Sequence, residues 1–165
     1  HKEYRRQRQM CIRDSFWSRE LKLSIKDLKR EVADLIALRP DADTFLAAIR
    51  QAGKQVVMIT NAHRDSLSLK LERIELAPYF DRMISSHDYG YPKEDQQFWS
   101  ALQQDLAFEP TRSLFIDDNI PILRSAGRFG VKHLLAVYEP DSRKGVKDTE
   151  EFEAVRDYRD LLNGL

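Results

Sequence analysis

An α/β fold, with helices covering both faces of a parallel sheet, is what this sequence predicts. Helical and strand periodicity alternate repeatedly along the chain, with short connections between them. The strand candidates are short continuous apolar runs, the pattern of strands buried on both faces. No internal repeat or low-complexity tract interrupts the alternation.

From Phe16 to Leu38, Leu21, Ile25, Leu28, Val32 and Leu35 fall at helical spacing; Ser24 and Asp27 read as a capping box between two helices, and Pro40 ends the region. Asp41 to Ala52 places Phe45, Ala48, Ile49 and Ala52 on one helix face, and Gly53 stands where a left-handed cap belongs. VVMIT (56–60) is the first strand. Leu67, Leu71 and Ile74 mark a helix that stops before Pro78, and RMISS (82–86) is a second strand. Phe98, Leu102 and Leu106 define the next helix, and SLFID (113–117) the strand after it. Asn119 and Pro121 suit a helix start, Ile120, Leu123 and Ala126 its buried face, and Gly130 its end. HLLAVY (133–138) is a fourth strand, and Thr149 to Leu162 is expected to be a last helix.

Composition excludes several classes of function. With 27 basic and 27 acidic side chains among 165 residues, no net field recruits nucleic acid or an anionic membrane. No apolar stretch approaches the ~20 residues that span a bilayer, and the N-terminus lacks the apolar core of a secretory signal. A cytoplasmic location is therefore the default expectation. A single cysteine, Cys11, rules out an internal disulfide and a cysteine-based zinc cluster. His63, His87 and His133 lack the spacing of a helical zinc site; His63 is expected to open a helix and His133 to sit at a strand edge.

In a parallel sheet every strand enters its loop at the same edge, so residues just after each apolar run converge. Those positions are Thr60 and Asn61, then Ser85 to Lys93, then Asp117 and Asp118. A hydroxyl, an ammonium and two carboxylates suit a metal-bound phosphate: carboxylates hold a hard cation such as Mg²⁺, cation and lysine neutralise phosphate oxygens, and the threonine donates a hydrogen bond. Taken singly, each signal is weak, because Asp caps helices, Thr favours strands and Lys is usually a solvated charge. Their joint order is informative.

ITNA (59–62), GYPKED (90–95) and LFIDDN (114–119), in that order, resemble the second, third and fourth motifs of the haloacid dehalogenase-like (HAD) phosphatases. The wording GKQVVMITNAH with YGYPKED is similar to that of the bacterial GMP/IMP (purine) nucleotidases. The resemblance implies a Rossmann-like three-layer parallel sheet and a Mg²⁺-dependent phosphomonoester hydrolase acting on a small-molecule phosphomonoester such as a purine nucleotide, with no nucleic-acid or membrane partner. It also implies roles: Thr60 and Asn61 bind the phosphate, Lys93 stabilises its charge, Asp118 ligates the metal and Asp117 is its acidic neighbour.

The chain departs from that family in one large respect. HAD phosphatases attack phosphorus with the first aspartate of a DxDGT motif and shuttle protons with the second, and no such motif occurs here. The aspartates upstream of Thr60, at 14, 27, 34, 41 and 43, lie in polar or helical surroundings. Residues 1–15 show no periodicity, and MCIRDS (10–15) resembles the translation of a transposon end sequence used in preparing sequencing libraries. The expected organisation is a non-native or disordered segment at 1–15, the remnant of a helical cap at 16–39, and an α/β core at 40–165 missing its first strand. The strands ending at Thr60 and Asp117 are then expected to pair directly or be bridged by the N-terminal segment, leaving a marginally stable chain prone to associate. Two function classes follow: a phosphatase fragment without its nucleophile, or an inactive phosphate- and Mg²⁺-binding module.

Overall fold

The computed structural model describes residues 41–64, 67–68, 71, 76–140 and 145–164. The helices expected between Phe16 and Leu38, the Ser24/Asp27 capping box, Pro40, Ile74 and the segment 1–15 lie outside the described residues. The chain divides into two compact units, one ending at Asp88 and the other beginning at Tyr89.

In the first unit, helix α1 (Ala42–Gln51) buries Phe45 and carries Ala48 and Ile49 at intermediate exposure, whereas Ala52 is exposed. Gly53 takes φ 68°, with its N–H on the Arg50 carbonyl at 2.9 Å and the Lys54 N–H on that of Ile49 at 3.1 Å. These are the paired bonds of a Schellman cap, which only a residue free of Cβ crowding closes without strain. Strands β1 (Val57–Thr60) and β2 (Arg82–Ser85) run parallel, with Thr60 opposite Ser85. Arg64, Leu67, Ser68 and Leu71 are helical, so His63 stands immediately before the helix, as expected.

Asp81 ties the strand to α1: its Oδ2 accepts the Val56 N–H at 2.7 Å and its Oδ1 the Arg50 guanidinium at 2.9 Å. The Val56 hydrogen bond first, then Arg50, holds the Asp81 carboxyl below its usual range. A depressed folded pKa stabilises above the unfolded value, and that contribution disappears as pH falls through the folded one. Acidification below the ordinary aspartate range is therefore expected to lower the unfolding midpoint, and Asp81→Asn to flatten that dependence, in thermal melts at stepped pH.

In the second unit, α2 (Gln96–Leu106) buries Phe98, Trp99 and Leu102. The Asp95 side chain caps its start by accepting the Gln97 N–H at 2.9 Å. Strand β3 (Leu114–Asp117) leads into α3 (Ile120–Phe129), whose buried face includes Ile120, Ile122, Leu123 and Ala126. Gly130, at φ 110°, closes a second Schellman cap: the Val131 N–H reaches the Ala126 carbonyl at 3.1 Å and the Gly130 N–H that of Gly127 at 3.0 Å. Strand β4 (His133–Val137) pairs parallel to β3, with Asp117 opposite Ala136. Ile120, Leu123 and Ala136 form a buried cluster on which Phe115, Leu134 and Phe152 pack.

Two expectations are corrected. The tail from Thr149 to Leu162 is not one helix: Ala154–Val155 forms a short strand, β5, parallel to β4, and a 3₁₀ helix spans Tyr158–Gly164. The edge of β4 supplies the reason, since Ala136 N–H reaches the Glu153 carbonyl at 2.8 Å and Tyr138 N–H that of Val155 at 3.1 Å. Pairing an open edge and burying Val155 override helix propensity. Secondly, β1 is of intermediate exposure throughout, and Leu114 of β3 is 48% exposed, so these strands are not buried on both faces. Among the described residues the strands form two ladders, β1–β2 and β3–β4–β5, without direct pairing of the strands ending at Thr60 and Asp117. Bridging by the N-terminal segment falls outside the described residues.

Candidate functional site

At the carboxyl end of β1, the Thr60 hydroxyl oxygen accepts the Ala62 N–H at 3.0 Å. This closes a tight turn, and because a hydroxyl accepts and donates at once, its proton remains available for donation. Asn61 follows at intermediate exposure. Fully buried Ser85, at the end of β2, donates to the Ala62 carbonyl at 2.7 Å. Asp88 accepts the Ser85 N–H at 2.9 Å and both arms of a bidentate Arg64 contact at 2.7 and 2.8 Å. The His63 and His87 rings meet edge to face, 5.3 Å between centroids. The loops after β1 and β2 are thus bound to each other through Ser85 and Asp88.

In the second unit, Lys93 Nζ meets Asp117 Oδ2 at 2.5 Å, and both side chains are under one-tenth exposed. The other Asp117 oxygen accepts the Asn119 N–H at 2.9 Å. The Lys93 ammonium also stands 5.7 Å from the centre of the Phe115 ring. A charge pair so removed from water persists only when its geometry is well satisfied, and here each carboxylate oxygen has a donor. Asp118, next along the chain, is exposed, and its main-chain carbonyl accepts from the Lys147 ammonium. Among the described residues its carboxylate has no protein partner.

Asn119 occupies the N-cap of α3 but makes no side-chain capping bond there. Its Oδ1 is buried and without a hydrogen-bond partner among the described residues. Its placement at the helix start is as expected. Beyond this point Arg124 bonds Glu151 at 2.7 Å and Glu150 at 2.5 Å, which fixes the tail against α3. The Arg124 guanidinium holds the Glu151 carboxyl below its usual range.

Of the residues singled out from sequence, the structure therefore joins Lys93 to Asp117, sets Asp118 and Asn119 directly after that pair, and places Thr60 and Asn61 at the end of β1. The sequence assigns no individual role to Ser85 or Asp88 and does not single out Ser125. Ser85 and Asp88 lie among positions expected to converge, whereas Ser125 shows only as a polar residue within the apolar stripe of α3.

A family model described as haloacid dehalogenase-like hydrolase matches residues 15–130. The chain belongs to the haloacid dehalogenase-like hydrolase family. This HAD-like chain is 39% identical over 150 residues to the GMP/IMP nucleotidase YrfG of Escherichia coli, covering 91% of this chain and 68% of that protein. Its fold resembles that of the HAD phosphatase from Thermococcus onnurineus, at TM-score 0.71 and 19% identity, over 90% of this chain and 68% of that one. It also resembles the HAD-hydrolase YfnB from Bacillus subtilis bound to magnesium, at TM-score 0.68 and 18% identity, over 83% and 60% of the two chains. The α/β class with parallel strands and flanking helices is that of the family. Of the upstream aspartates, Asp41 precedes α1 and Asp43 lies in its first turn, so neither of these ends a strand.

Proposed function

We propose that this HAD-like chain carries the phosphate- and metal-binding part of a Mg²⁺-dependent phosphomonoester hydrolase, with a purine nucleoside monophosphate such as GMP or IMP as substrate. The observation that carries it is the buried Lys93–Asp117 pair standing one residue before an exposed carboxylate. Lys93 neutralises phosphate oxygens, Thr60 and Asn61 donate to them, Asp118 is the direct metal ligand and Asp117 its acidic neighbour. The nucleotide class follows from likeness to YrfG.

The donor set fits magnesium. Among the described residues no group of three or more His, Cys, Asp or Glu side chains is placed to hold a metal by itself. Magnesium does not need one, because it is held by one or two carboxylates and keeps waters and phosphate oxygens as its other ligands. Asp118 offers such a carboxylate, and Asn119 Oδ1, without a hydrogen-bond partner among the described residues, is a further hard oxygen one position along the chain. When bound, the ion supplies charge neutralisation at phosphate.

The lack of a DxDGT motif in these 165 residues favours a second reading, a module that binds Mg²⁺ and phosphate without hydrolysing it. Phosphate release from GMP and IMP with Mg²⁺, beside calorimetric titration with inorganic phosphate, separates the two. The expected result is Mg²⁺-dependent phosphate binding with no turnover by the 165-residue chain. Turnover abolished by Asp118→Asn would establish that another residue attacks phosphorus, and failure of both assays would remove both readings.

A further inference from the structure

We propose that Trp99 and Ser125 are positioning residues for Lys93: a buried indole N–H and a buried hydroxyl hold the main chain from which the ammonium is delivered to Asp117. The proposal rests on the preceding reading only for what Lys93 does to phosphate.

Trp99 is 2% exposed and Ser125 fully buried. The indole Nε1–H is shared, donating to the Lys93 carbonyl at 2.8 Å and to Ser125 Oγ at 3.1 Å. Ser125 Oγ in turn donates to the Glu94 carbonyl at 2.9 Å. Gln96 Nε2 completes the set, reaching the Ser125 carbonyl at 2.9 Å and its Oγ at 3.0 Å. Two consecutive carbonyls of an irregular loop, Lys93 and Glu94, are thus pinned to α2 and α3 by side chains that are themselves immobilised in the core.

The geometry carries more than packing. A Phe at position 99 would fill most of the same space, so the N–H is what the site specifically uses. The Trp99 ring also stands edge to face on Phe115 at 5.1 Å, and Phe115 presents its own ring to the Lys93 ammonium. Lysine has a flexible four-carbon stem, so an ammonium held at 2.5 Å from one carboxylate oxygen needs a fixed point of departure. Trp99 and Ser125 fix that point from below, and Phe115 limits the path. Trp99 and Ser125 act through Lys93.

The test uses the full chain labelled with ¹⁵N-lysine. A buried, hydrogen-bonded ammonium exchanges slowly enough to give its own ¹H–¹⁵N signal, assigned to Lys93 by its loss in Lys93→Arg. In Trp99→Phe and Ser125→Ala that signal is expected to disappear, while inorganic phosphate with Mg²⁺ binds at least about tenfold more weakly, the low end for loss of an orienting partner. A merely structural role would lower the melting midpoint and leave the signal. Retention of the Lys93 signal in either folded variant overturns the proposal, whatever happens to phosphate binding, and Ser125→Ala decides alone should Trp99→Phe unfold. Loss of the signal in a chain whose parent binds no phosphate upholds the positioning and sinks the phosphate reading instead.

Discussion

Lys93→Met is expected to destabilise the protein by roughly 3 to 5 kcal/mol, the cost of stranding a buried charge without its partner. At the usual conversion for a chain of this size that is a fall in unfolding midpoint of roughly 6 to 20 °C. Methionine nearly matches the lysine stem in volume, so little of the loss comes from a cavity. The charge left behind is the reason: Asp117 is 9% exposed, and with Lys93 gone its Oδ2 loses the 2.5 Å contact while only Oδ1 keeps its bond from the Asn119 N–H. The double variant Lys93→Met with Asp117→Leu is expected to recover much of the stability, because an apolar pair of similar volume replaces a buried ion pair at little net cost. Phosphate affinity does not recover with it. Denaturant melts of the single and double variants check the ledger of charges, and calorimetry checks the binding. A single variant as stable as the parent would mean that water reaches Asp117.

Much of this arrangement was legible because it rests on local rules. Gly53 and Gly130 end their helices in the left-handed region, as a glycine after an amphipathic run should, and all four apolar runs fold as parallel strands within a residue or so of their expected bounds. Asp117 and Asp118 are legible because they directly follow an apolar run, at the sheet edge where strand ends converge. What sequence did not show was which charge answers which: Lys93, 24 residues away, takes Asp117 and leaves Asp118 in the open. The tail misled for a related reason. Residues 149–162 have helical composition, but the open edge of β4 offers hydrogen bonds that only a distant partner can use, and Glu150 sits at φ 50°, where a helix cannot continue. Ser125 illustrates the same limit at the level of one side chain, since its hydroxyl serves the Glu94 carbonyl of another loop and accepts the Trp99 indole N–H, partners far away in sequence.

Asp118→Asn should behave in the opposite way from a change at its neighbour. Asp118 is exposed, and among the described residues only its main-chain carbonyl is engaged, by Lys147. Replacing its carboxylate with an amide leaves that contact intact and strands no charge, so stability is expected to stay within about 0.5 kcal/mol of the parent. Metal-dependent phosphate binding, by contrast, is expected to weaken by about 100-fold or more, since even residues that merely orient a metal ligand are worth 10- to 100-fold. The change removes a full unit of charge from a cation that prefers anionic oxygen. Titration with Mg²⁺ at fixed inorganic phosphate reads the loss, and a melt of the same sample reads the stability. If Asp118→Asn binds both as the parent does, the exposed carboxylate is only a solvated turn residue. The metal must then be held by Asp117 at the expense of its bond to Lys93, and addition of Mg²⁺ would have to break the 2.5 Å pair that otherwise anchors this end of β3.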